Sequence, residues 1–102
     1  MTETEKAFHR LADEIPGLNP SKMFGAVCLK TKKGKSAAML WNDELVVKLD
    51  KDELDKALRR KGTKLFEPMK GKAMKEWVQI PRDFITEWKT YVQMSVIKIE
   101  SV

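Results

Sequence analysis

Four groups of residues have chemistry to offer. His9 is the only histidine. With no second histidine and no neighbouring cysteine it lacks the companions that a metal site or a positioned general base requires, so a solvent-facing helical position beside Phe8 is its expected role. Cys28 is the only cysteine and would be a nucleophile only beside an activating base; strand alternation sets it next to Ala37 and Met39, an apolar setting that leaves it inert. Asp50, Asp52, Glu53 and Asp55 form a carboxylate run, yet neither the spacing nor the glycine of an EF-hand loop accompanies it. Its first three members fit the start of a helix, with Asp50 as N-cap and Glu53 three residues on. No glycine-rich phosphate loop occurs. The sequence therefore offers no catalytic residues, no metal ligands and no cofactor site, and predicts a protein that is not an enzyme.

The fourth group is basic. Lys-Gly-Lys occurs twice, at Lys33–Lys35 and Lys70–Lys72, each time where a hairpin tip is expected. The formal charge of +5 is concentrated there: residues 22–40 carry five lysines and no acid, and residues 61–78 five lysines and two glutamates. Lys32, Lys33, Lys35, Lys70, Lys72 and Lys75 are thus the candidate nucleic-acid contacts, two basic wings able to straddle phosphates. Sixteen of the twenty cations are lysine, which suits diffuse phosphate attraction better than bidentate base reading. The plain alternative is that these lysines keep two turns soluble, since no aromatic or arginine interleaves them.

The elements that must position these residues are legible in order. Thr2 and Glu5 make a capping box, and Phe8, Leu11, Ala12 and Ile15 recur at helical spacing, so a helix should run from Glu3 to Glu14 and end at Ile15-Pro16-Gly17. Leu18–Lys22, with its Asn19-Pro20 pair, reads as a loop. Met23–Asp50 then reads as three strands joined by two-residue turns at Lys33-Gly34 and Asn42-Asp43. The first turn pairs Val27 with Leu40 and Leu29 with Ala38; the second pairs Leu40 with Leu45 and Ala38 with Val47. Both place Val27, Leu29, Ala38, Leu40, Leu45, Val47 and Leu49 on one face. A helix over Lys51–Lys61 follows, stopped by Gly62. Lys64–Glu67 and Met74–Ile80 read as a second hairpin around Pro68 and Gly71, with Phe66 opposite Met74, Lys75 or Glu76. Pro81 opens a last helix whose apolar face is Phe84, Ile85, Trp88, Tyr91, Val92, Ser95 and Ile99. The order α-β-β-β-α-β-β-α predicts a single α+β domain over residues 1–102, a five-stranded antiparallel sheet with its helices mainly on one face in two layers.

That register leaves Ala26, Cys28, Ala37, Met39, Trp41 and Val46 on the opposite face, rimmed by Lys30, Glu44 and Lys48. Either the first helix covers it or a second copy of the chain does. Cys28, Met39, Trp41 and Val46 are accordingly the candidate protein interface, a tryptophan-bearing apolar centre with a charged rim of the kind a two-fold homodimer uses. One unpaired cysteine, a polar N-terminus and no apolar run of spanning length argue for a cytoplasmic protein with no membrane association.

Three segments carry a family likeness: MFG at Met23–Gly25, GKSAAMLWNDELVVKLD, and KLFEPMKGKAMKEWVQIP. Over residues of roughly 20 to 90 the chain resembles the N-terminal domain of TfoX-type proteins, and more distantly YjbR-type small domains. The resemblance implies a secretion-chaperone-like α+β fold and a regulatory or interaction role. TfoX proteins are associated with natural competence and transcription in bacteria, and their full-length members carry a further C-terminal domain. It implies no catalytic residue. The expected function is a non-enzymatic module acting through protein contacts, with nucleic-acid binding through the lysine tips as the alternative.

Overall fold

A computed structural model describes residues 2–23 and 25–101, so that Phe24 of the MFG segment lies outside the described residues. Helix α1 spans Glu3–Glu14, and its capping box is formed: the Thr2 hydroxyl accepts from the Glu5 N–H while the Glu5 carboxylate accepts from the Thr2 N–H. Those bonds hold the Glu5 carboxyl below the usual range. The strands are β1 (Asn19–Met23), β2 (Ala26–Lys30), β3 (Ser36–Trp41), β4 (Glu44–Lys48), β5 (Lys64–Met69) and β6 (Lys72–Ile80). Helix α2 covers Lys51–Leu58; a 3₁₀ turn over Arg82–Glu87 leads into α3, Trp88–Glu100. All six strands form one antiparallel sheet in the order β1-β2-β3-β4-β6-β5. No helix among the described residues is long and apolar enough to cross a membrane.

The sheet has six strands, not five. The extra one, β1, occupies the segment expected to be a loop and pairs with β2 from Asn19 opposite Lys30 to Met23 opposite Ala26. Pro20 and the polar run around it disguise it, but β1 is an edge strand, where a missing N–H can face away from the ladder.

The β3–β4 hairpin matches its expected register, Ala38 facing Val47 and Leu40 facing Leu45. Asn42 and Asp43 both take positive φ, +50° and +61°, as a type I′ turn requires. The β2–β3 hairpin reaches its expected core pairing, Leu29 with Ala38, by another route. A two-residue turn at Lys33-Gly34 would have forced Lys33 to positive φ. Instead Thr31 N–H donates to Lys35 C=O, the loop is Lys32-Lys33-Gly34, and only Gly34 is left-handed, at +81°. This three-residue loop shifts the pairing by one, to Lys30 with Ser36, and a bulge between Leu29 and Lys30 shifts it back. The residue squeezed out is Ala37. It therefore joins Ala38 in the helix-side core rather than lying on the opposite face.

The bulge has a partner in the helix layer. Beyond Ala38–Val47 the next pair would be Ala37 with Lys48, bonded directly. Ser95 of α3, fully buried, stands between them: its hydroxyl donates to the Ala37 C=O at 2.6 Å and accepts from the Lys48 N–H at 3.1 Å. Both groups at the irregularity are thus satisfied, as burial demands.

Helix α2 stops at Leu58, short of the expected Lys61, and Gly62 follows at φ +84° with Pro81 packed close against it. Asp50 is its N-cap residue but makes no side-chain capping bond; its carboxylate pairs instead with Lys98 of α3 at 3.1 Å, which raises the Lys98 ammonium above its ordinary range. Arg60, just beyond α2, forks onto Glu87 at 2.7 and 2.8 Å, donates to the Tyr91 oxygen at 3.1 Å and lies 3.8 Å over the Phe84 ring. Glu87 is held below the usual carboxylate range by that guanidinium, and Arg60 is raised by Glu87 and then Tyr91.

All three helices pack on one face of the sheet. Phe8, Leu11, Leu54, Ala57, Trp88, Tyr91, Val92 and Ile99 meet Leu29, Ala38, Leu40, Leu45, Val47, Val78 and Ile80 there, with Val27 partly buried at the edge. The expected inward set is therefore the core.

Candidate nucleic-acid interface

The opposite face is closed too, and by neither of the two expected means. Cys28, Met39 and Val46 are fully buried, and the fourth buried member of their cluster is Phe66 of β5. Met23 of β1 and Met74 and Trp77 of β6 pack around them. Trp41 is partly buried, its ring edge-on to Phe66 with centroids 5.3 Å apart. The cover is the sheet's own far hairpin, brought over by its irregularities. Leu65 faces Val78, but Phe66 faces Met74, so Lys75, Glu76 and Trp77 have no partner on β5, and a second shift follows between Phe66 and Met69. Such bulges bend and twist a strand pair sharply, which is why no single register described this hairpin. Three of the four residues expected to form a protein interface are therefore unavailable to a second copy in the folded chain, and the patch that motivated a homodimer is an internal seal.

His9 lies half-buried on α1, and no group of three or more His, Cys, Asp or Glu side chains comes together among the described residues. Of the carboxylate run, Asp50 is drawn to Lys98, Glu53 pairs with Lys56 at 3.5 Å, and Asp52 and Asp55 are exposed on α2.

The lysines fare differently. Lys32, Lys33, Lys35, Lys70, Lys72 and Lys75 are all exposed. Strand direction decides where they go. Both β3 and β6 run antiparallel to β4, which lies between them. The tip that precedes β3 and the tip that precedes β6 therefore emerge at the same end of the sheet. The β4 ladder stops there, with Lys48 opposite Trp77 and the Leu49 N–H bonded to the Glu76 carbonyl. Residues 72–75 project beyond it on one side and Thr31–Lys35 on the other. The end of β4 is thus the floor of a notch between the two neighbouring chain segments that run past it, and both lysine-bearing tips leave the sheet at this end.

That notch holds a cleft of about 340 Å³ lined by Lys35, Ser36, Lys48, Trp77 and Ile99. Trp77 follows Lys75 by two residues in the chain, whereas its neighbour across the ladder, Lys48, is distant in sequence and is joined to it only by the β4–β6 pairing. The Lys48 ammonium lies 3.7 Å from Glu76, which also reaches Lys98 at 3.7 Å, and both Lys48 and Glu76 keep exposed surface. The Ser36 Oγ is shielded from solvent and has no hydrogen-bond partner among the described residues. A second cleft of about 350 Å³ flanks the first tip, between Pro16, Gly17, Thr31, Lys32 and Lys33, but it contains Glu100 and no aromatic ring. The first cleft has the better chemistry for an anionic, planar ligand.

No protein-family model matches the chain, and no curated protein matches it.

Proposed function

We propose that this protein is a non-catalytic binding module of regulatory kind, and that its working surface is the lysine-bearing end of the sheet, which binds the phosphate backbone of nucleic acid. The observation that carries the reading is the emergence of both Lys-Gly-Lys tips from the same end of the sheet. Six exposed lysines without an intervening acid in either tip give an electrostatic footprint suited to counterion release from phosphates. The likeness to TfoX N-terminal domains, a family associated with transcription, supports the same setting.

The test is binding of a labelled oligonucleotide over a range of salt concentrations. The native chain should bind with log affinity falling linearly with log salt. Replacing Lys32, Lys33, Lys35, Lys70, Lys72 and Lys75 by Gln should remove most of the affinity and flatten the slope. The same variant should unfold within about 0.5 kcal/mol of the native chain, since exposed tip lysines add little to stability. Absence of binding at low salt defeats the reading.

A further inference from the structure

We propose that the cleft at the end of β4, beside the first tip, is a base-stacking site, so that the nucleic acid this module takes is single-stranded. The inference rests on the phosphate-binding reading above and adds to it the element that distinguishes strands. Trp77 lies at the level of Lys48, on the floor of the notch, with Lys35 entering from the first tip. One aromatic ring with cations from two other elements to one side of it has the minimum composition of a single-strand platform: the ring takes a base face, and the ammonium groups of Lys48 and Lys35 take phosphates along the strand that leads away from it. In a duplex every base face is already stacked, so Trp77 could reach none, whereas an unpaired base offers a free π-face.

The position of Trp77 is fixed from beneath. Its ring packs against the cluster of Cys28, Met39, Val46 and Phe66 while keeping part of its surface exposed to the cleft. A ring already immobilised loses little freedom on stacking, which is the advantage of preorganisation. Glu76 bridges Lys48 and Lys98 beside the cleft. A phosphate arriving at Lys48 must displace that contact, whose exposure and 3.7 Å separation make it weak.

The experiment compares the native chain with Trp77→Leu and Trp77→Phe. Leucine preserves apolar packing against the cluster and has no π-face, whereas phenylalanine keeps one. The probes are a labelled oligothymidylate, a duplex of equal length, inorganic polyphosphate and polyglutamate. Native protein should prefer the oligothymidylate to the duplex. Trp77→Leu should lose about tenfold in oligothymidylate affinity, the scale of one lost stacking contact, with polyphosphate binding unchanged and Trp77→Phe recovering most of the loss. An unchanged oligothymidylate affinity in Trp77→Leu, or native preference for the duplex, overturns the stacking site and leaves the phosphate-binding reading standing. Equal loss on polyphosphate shows that the substitution acts through charge placement or folding, and overturns it as well. Polyglutamate binding as tightly as oligothymidylate assigns the notch to acidic protein segments. No binding to any probe defeats both readings.

Discussion

The two faces of the sheet are buried by opposite strategies. One is roofed by helices drawn from both ends and the middle of the chain, nineteen buried residues among those described in a single cluster. The other has four buried residues among those described and is sealed by the sheet folding its own last hairpin over. The difference is one of redundancy. A large cluster loses one side chain and keeps many contacts; a small one depends on whichever residue serves as the lid, here Phe66. It also assigns the roles: the helix face stabilises, and the strand face props Trp77 at the floor of the notch.

The sharpest way to break the comparison is at the lid. Phe66→Ala should destabilise by about 3–5 kcal/mol, as much as a deletion in the large core, measured by denaturant unfolding. It should also expose Cys28. In the native chain that thiol is fully buried and should react with a thiol reagent only as fast as the protein opens; in the variant it should react far faster at equal native population. A small loss with Cys28 still protected would mean the lid is redundant. On the helix side, Leu40→Ala should cost about 2–5 kcal/mol, and its Cys28 should react no faster than that loss of global stability accounts for, because Leu40 points into the other layer. Ser95→Ala comes next. It removes no volume of consequence but leaves the Ala37 carbonyl and the Lys48 N–H without their bridge, a loss of about 1–3 kcal/mol by calorimetry. The smallest effect belongs to pH. Arg60 holds Glu87 below its ordinary value of 4.5, so the stability this pair contributes is complete above that value and disappears as the pH falls through the lowered folded-state value. Glu87→Gln should be less stable than the native chain at neutral pH, and the two should converge in acid.

These residues also mark what the sequence could and could not reveal. Alternation and turn chemistry sufficed for β3–β4, because Asn42 and Asp43 both tolerate positive φ. In β2–β3 the core pairing was legible while its route was not: the three-residue loop and the bulge at Ala37 offset each other, so Leu29 meets Ala38 either way. β1 was hidden because edge strands need neither alternation nor freedom from proline. The second hairpin resisted because it follows no one register, and its bulges depend on contacts with strands far away in the chain. The candidate site was half visible. Its lysines stand out in the sequence, whereas Trp77 beside Lys48 is a product of the β4–β6 pairing alone. The apolar character of Cys28, Met39 and Val46 was equally plain, and what covers them was not, since Phe66 reaches them only through the bend.

The hydroxyl of Ser95 has one more consequence, and it concerns timing. The Lys48 amide sits in a strand but its proton is held by a helix. Its exchange with deuterium therefore reports how often α3 lifts from the sheet, while the amides of Val46 and Val47 next to it in β4 report how often the strands themselves part. One residue on the floor of the notch thus keeps a separate clock for the helix layer, readable beside its neighbours in a single exchange experiment.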